Sequence, residues 1–196
     1  MKKLFLVATL VAFCATMSAQ GLKGTWFAGG MVDFGKTEKY IEDVKVKNNT
    51  YGIMPLLGKF VTPDVAVGGA LGFHQSKFDS DNKNTTFTIM PLARKYWNIT
   101  GNLYVFGQAA LPIGIGNDKM AGMKTDQFSM HFQLAPGFDL IVNKWMTIEA
   151  SFTLLNAGFT RNNPDGGEKT TDWSINGNSI ASSSFGDLSV GVKFLF

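Results

Sequence analysis

The chain has 196 residues, of which 45% are hydrophobic, 13% aromatic and only 17% charged, with 22 glycines, 17 phenylalanines and a single cysteine. So few charges among so many aromatics exclude a disordered chain, and so many glycines exclude a fold of long helices. The length sets one domain, or two at most.

Residues 1–20 read as an export signal and 21–196 as the mature domain. Met1-Lys2-Lys3 is a positive n-region, Leu4 to Phe13 an apolar core, and Ser18-Ala19-Gln20 a small-residue cleavage site. Phe13 is too bulky to precede a lipidated cysteine, which argues against an anchor on Cys14. Loss of Lys2 and Lys3 leaves 16 of the 18 basic residues against 15 acids, so the formal charge falls from +3 to +1. A near-neutral chain gives no electrostatic case for nucleic acid. Without Cys14 the mature chain has no disulfide, thiolate nucleophile or cysteine metal site. No later stretch approaches 18 continuous apolar residues, so no membrane helix is expected.

The remainder falls into period-two segments near 24–34, 50–60, 65–75, 85–97, 102–114, 128–141, 146–159 and 185–196. The gaps 35–49, 76–84, 115–127 and 160–184 are long and rich in Asn, Asp, Lys, Gly and Thr. The gaps 61–64, 98–101 and 142–145 are four residues each. This alternation is that of an eight-stranded antiparallel up-and-down meander with long loops at one end and short turns at the other. Ile53-Met54-Pro55-Leu56 recurs as Ile89-Met90-Pro91-Leu92, and Leu134-Ala135-Pro136-Gly137 echoes both. Proline removes a ladder bond, so these positions are expected to mark bulges or strain.

Side-chain parity sets what each face meets. Phe128, Met130, Phe132, Leu134, Pro136, Phe138 and Leu140 oppose Ser129, His131, Gln133, Ala135, Gly137 and Asp139. The second face is dominated by small residues across the segments, where a solvated face would carry Lys and Glu. Strands of 11 to 14 residues match a tilted membrane crossing. The pattern therefore predicts an all-β transmembrane barrel with apolar residues in lipid and small or polar ones inside, closed because no backbone group can stay unpaired in hydrocarbon. Eight strands enclose an interior that side chains can fill. Arg94, Asp139, Glu149 and Lys193 then point inward, joined by Gln108, His131 and Gln133, and two acids balance two bases in a structural polar network. Asp33 and Asp187 share that parity near the long-loop rim. Phe27, Met31, Leu56, Met90, Leu92, Tyr96, Tyr104, Phe106 and Leu155 are the bulky interior candidates. Lys59 and Lys95 fall on the lipid face close to a short turn, within snorkelling reach of the headgroups. Trp26, Trp97, Trp145 and Tyr96 read as interfacial aromatics.

The last segment, Leu188-Ser189-Val190-Gly191-Val192-Lys193-Phe194-Leu195-Phe196, puts Val190, Val192, Phe194 and Phe196 on the lipid parity. It resembles the C-terminal signal that the barrel-assembly machinery reads. The mature chain as a whole resembles the small eight-stranded outer-membrane β-barrels of the broad OmpA-barrel, OmpX and OmpW type. Pro55-Leu56-Leu57-Gly58-Lys59-Phe60-Val61-Thr62-Pro63-Asp64-Val65-Ala66-Val67-Gly68, Pro91-Leu92-Ala93-Arg94-Lys95-Tyr96-Trp97 and Ala135-Pro136-Gly137-Phe138 are similar to the form common in Bacteroidetes, which often has Tyr where Lys59 and Lys95 stand. The resemblance implies the outer membrane of a Gram-negative bacterium, with both ends of the mature chain on the periplasmic side. It also implies a monomer in contact with outer-membrane lipids and lipopolysaccharide.

Small barrels of this shape serve as scaffolds, adhesins, narrow channels and lipid enzymes, so function must come from sites. The sequence has no GxGxxG, Walker loop, HExxH, CxxC or GxSxG. His74 is the candidate base for Ser76 or Ser129, His131 reads as a lumen hydrogen-bonding residue, and Asp79, Asp81, Asp118 and Asp126 read as loop charges. No catalytic residue, metal site or cofactor is expected. The loops 35–49 and 160–184, the latter carrying Trp173, are the candidate surfaces for an extracellular ligand. The sequence thus reads as a non-enzymatic barrel with a largely filled lumen, serving envelope integrity or surface interaction. A narrow pore or conduit for hydrophobic small molecules is the alternative, ahead of a lipid-modifying enzyme and a soluble lipocalin-like binder.

Overall fold

The computed structural model describes residues 22–41, 44–78, 82–120, 122–177 and 189–196. The signal segment 1–20, Asp79, Asp81, Asp187 and the start of the last predicted strand lie outside the described residues, as do the side chains of Asp33 and residues 37–47. Eleven strand segments are present: β1 Trp26–Ile41, β2 Val44–Phe60, β3 Val65–Phe78, β4 Asn82–Thr100, β5 Leu103–Ala110, β6 Ile113–Met120, β7 Met123–Asn143, β8 Met146–Ser151, β9 Leu155–Pro164, β10 Thr170–Gly177 and β11 Ser189–Leu195.

They make eight antiparallel wall strands. β5 and β6 are one strand interrupted at Leu111-Pro112, since Leu111 N–H still reaches Pro91 C=O (3.0 Å) and the register against β4 is unchanged across the break. β8 and β9 are one strand with a bulge: Ser151 faces Gly137 but Leu155 faces Leu134, so the outer strand carries one extra residue. β10 and β11 pair the two halves of that strand, β9 and β8, and so share the eighth wall position, and β11 also pairs β1. Trp26 and Phe196 exchange both backbone bonds, N–H to C=O, at 2.7 and 2.9 Å, which joins the last residue to the first strand and closes the sheet.

The face assignment follows the parity. Val32, Ile53, Leu57, Val67, Leu71, Phe73, Ile89, Ile115, Phe138, Leu140, Val190 and Val192 are exposed on the outside, whereas Phe27, Phe60, Ala66, Tyr96 and Phe106 are buried within. Two interior glycines make room for two interior rings: a Cβ at Gly58 would overlap Phe27, and one at Gly137 would overlap Phe106.

Four expectations need correction. Among the described residues the long gaps are mostly strand, with a turn near 165–169 between β9 and β10. Alternation is imposed by lipid on one face; beyond the membrane both faces are polar, so the pattern fades while the backbone ladder continues. β4, at 19 residues, runs about 60 Å, or about 50 Å along the axis at a ~40° tilt, well past a ~25 Å apolar band. Second, the described parts of the loops 35–49 and 160–184, namely 35–41, 44–49 and 160–177, therefore extend the wall as paired strands. Third, the prolines do not themselves bulge. Pro55, Pro91 and Pro136 hold continuous register opposite Gly30, Gly69 and Gly107, and the bulge after Ser151 lies on the neighbouring strand, across from Leu134–Pro136. Fourth, that bulge flips parity, so Leu155 faces outward, while Tyr96 faces inward, 2% exposed, and does not belong to an interfacial belt.

Gly58→Val should oppose the Phe27 ring and destabilise the barrel by about 1–3 kcal/mol. Urea unfolding in detergent measures this, and adding Phe27→Ala should restore part of the loss.

Candidate functional site

The interior at the short-turn end is built in layers. Its floor is aromatic. Tyr96 on β4 sits between Phe60 on β2 (ring centroids 5.1 Å apart) and Phe106 on β5 (5.5 Å), and Phe60 meets Phe27 on β1 edge-on at 5.7 Å. Two cations rest on this floor. The Arg94 guanidinium lies 4.8 Å from the Phe106 ring centroid, and Lys193 Nζ lies 5.3 Å from those of both Phe27 and Tyr96.

The carboxylates come from β7 and β8, the latter next to the strand of Lys193. Asp139 on β7 and Glu149 on β8 are direct cross-strand partners, an arrangement of like charges that is unfavourable by itself. Lys193 resolves it by donating to Asp139 Oδ2 and, at 3.2 Å, to Glu149 Oε2. Arg94 closes the set from across the lumen: Nη1 donates to Glu149 Oε2 (2.7 Å), Nη2 to Glu149 Oε1 (3.3 Å) and Nε to Gln108 Oε1 (2.7 Å). The Tyr96 hydroxyl accepts from Lys193 Nζ at 3.3 Å. Arg94, Asp139 and Lys193 are each at most 5% exposed, so the charges are removed from bulk water and each has an opposite charge in contact.

Five of the seven inward polar residues singled out above, Arg94, Gln108, Asp139, Glu149 and Lys193, therefore meet. The other two lie further toward the long-hairpin end. Gln133 lines a cavity of about 140 Å³ on top of the ion pairs, together with Met31, Met54, Leu56, Met90, Leu92 and Ser151. His131 Nε2 is 3.5 Å from Thr160 Oγ1. Tyr96 joins this cluster as one of the bulky interior candidates; its position two residues from Arg94, on the same parity, places it there. The histidine–serine pairing is not assembled: Ser76 Oγ donates to Asn48 Oδ1 (3.0 Å) and lies 3.4 Å from Thr50 Oγ1, and Ser129 is on another wall, β7. Among the described residues no group of three His, Cys, Asp or Glu could hold a metal ion.

On the outer surface of the same end, Lys59 Nζ lies 5.1 Å from its cross-strand partner Trp26, and Trp145 stacks on Phe194 (6.0 Å, 1°). Lys95 donates to Asp64 in the turn 61–64, where Thr62 also donates to Asp64 Oδ1 at 2.7 Å. These bonds, first Lys95 and then Thr62, hold the Asp64 carboxyl below its ordinary value of 3.8.

No protein-family model and no curated protein matches the chain in sequence. Solved structures match in fold. Neisserial surface protein A superposes with a TM-score of 0.50 at 14% identity, covering 89% of this chain and all of that one. The outer membrane protein OprG from Pseudomonas aeruginosa gives 0.51 at 14% identity, covering 91% of this chain and 99% of that one. The fold is thus that of the small eight-stranded outer-membrane barrels.

Because its folded value is depressed, Asp64 stabilises the turn above the unfolded carboxylate value and loses that contribution as pH falls through the folded one. NMR titration should give Asp64 a midpoint below 3.8 that rises toward 3.8 in Lys95→Gln; a midpoint indifferent to Lys95 contradicts the assignment.

Proposed function

We propose that the chain is a non-enzymatic outer-membrane barrel whose lumen is shut near its short-turn end, and that it serves as an envelope scaffold carrying its wall well beyond the lipid. One observation carries this reading. The aromatic floor and the Arg94, Glu149, Lys193 and Asp139 ion pairs stack in adjoining layers of the lumen, with Phe27, Phe60, Tyr96, Phe106 and Lys193 at most 2% exposed. A solvated ion path has no place for side chains packed in this way.

In this reading the short-turn end faces the periplasm together with both ends of the mature chain, and residues 1–20 direct export. Trp26, Trp97 and Trp145, all more than 40% exposed on the outer wall at that end, support an interface there. Val190, Val192 and Phe194 lie exposed on the lipid-facing side of the closing strand, which suits recognition by the barrel-assembly machinery before closure. Arg94, Gln108, Asp139, Glu149 and Lys193 form the structural network, with His131 and Gln133 as its outward continuation.

The cavity above the ion pairs favours a second reading, a conduit for small apolar molecules, since Met31, Met54, Leu56, Met90 and Leu92 give part of its wall an apolar surface beside the polar one of Gln133, Ser151 and Thr153. Planar-bilayer recording separates the two. After insertion is confirmed by heat-dependent gel mobility, the wild type should show no reproducible conductance steps, and Arg94→Ala/Lys193→Ala should introduce them. Reproducible steps from the wild type would put the conduit first.

A further inference from the structure

The outward-facing residues of the long-hairpin end are ordered in rows. Phe73, Phe87, Ile115 and Phe128 on β3, β4, β6 and β7 are successive cross-strand partners and form the last apolar row of the wall. Two residues further out, Gln75, Thr85, Asn117 and Asp126 pair in the same way. Two residues beyond those stand Lys77, Lys83, Lys119 and Lys124, again each the direct partner of the next. Every one of these lysines is four residues from the apolar row on its own strand.

Four like charges placed directly opposite one another across adjacent strands repel. Among the described residues one of them has a carboxylate partner: Lys124, held by Asp126 at 2.8 Å. Lys77, Lys83 and Lys119 are exposed. The row lies about 13 Å beyond the last apolar residue along the strand, about 10 Å along the axis, and lysine stems can lean back toward the membrane. That is the depth of a headgroup layer. Its three inter-strand steps of about 4.8 Å span about 14 Å, wider than one phosphate.

We propose that Lys77, Lys83, Lys119 and Lys124 form a belt that binds the phosphates of a polyanionic glycolipid in the outer leaflet. The ammonium groups act as point cations for phosphate oxygens, and the bound anion removes the repulsion within the row. The acyl chains of the same lipid lie against the Phe73, Phe87, Ile115 and Phe128 row. The inference rests on the orientation proposed above, with the long hairpins outside the cell.

Thermal unfolding of the full mature chain in zwitterionic detergent, with bis-phosphorylated lipid A as the probe, tests the belt. The wild type should gain stability from this lipid by mass action. Lys77→Gln/Lys83→Gln/Lys119→Gln should bind it more weakly, on the order of tenfold or more, while the corresponding triple Lys→Arg variant keeps the effect. In lipid-free detergent the Gln variant should be no less stable than the wild type, because it loses repulsion. An equal shift in the Gln variant, or from dephosphorylated lipid A or inorganic phosphate alone, would overturn the proposal. Orientation is read separately, by labelling Cys14→Ser/Glu168→Cys on intact cells with an impermeant maleimide. Absence of label overturns the orientation on which both readings rest. Labelling without a lipid effect overturns the belt alone.

Discussion

A charge inside a closed eight-stranded sheet cannot escape to water sideways, and the lumen is too narrow to hydrate it fully. Lys193 is where this constraint is met. Its ammonium holds apart two carboxylates, Asp139 and Glu149, that the register of β7 and β8 sets directly opposite each other. Arg94 reaches Glu149 from the far wall, so one carboxylate ties β4, β8 and β11 through the middle of the barrel. Removing any one member leaves an uncompensated buried charge, which costs more than a lost surface pair. The rest of the interior is arranged around this set: the rings of Phe106, Phe27 and Tyr96 lie against the cations, and Gly58 and Gly137 exist as spaces for two of those rings.

The outer wall obeys a different solvent at each height. At the short-turn end the cations near the interface have partners, Lys59 with Trp26 and Lys95 with Asp64. The middle is apolar and continuous. Beyond it the ladder persists with both faces polar, and the outward row becomes a line of lysines. The same hydrogen-bonded sheet thus carries an ion-paired interior, an apolar band and a charged rim, separated only by which residues the period-two alternation delivers to each level.

What the sequence made legible was what lipid enforces. Strand number, the meander, the outward Phe and Leu parity and the inward positions of Arg94, Asp139, Glu149 and Lys193 all follow from alternation, which needs one apolar face. Where lipid ends, that signal ends: residues 35–41 and 115–120 carry no alternation, yet backbone pairing alone continues β1 and β6 through them. Alternation alone puts Leu155 inside; a single extra residue in the wall after Ser151 is invisible in composition and reverses the side chains after it. Tyr96 carries both signals, bordering a turn like an interfacial residue and sharing parity with Arg94 like an interior one, and parity decides. The lysine row is not legible in the sequence for another reason. Its four members are scattered in sequence and meet only once the cross-strand register is known.

The central claim is that the inward charges form a mutually compensating set. A double-mutant cycle with Arg94→Met and Glu149→Gln, followed by reversible urea unfolding in detergent, tests it most directly. The account predicts that the second substitution costs much less once the first is present, with a coupling on the order of 1–3 kcal/mol. Additivity within about 0.5 kcal/mol would mean that Arg94 and Glu149 act independently, and would contradict the paired interior.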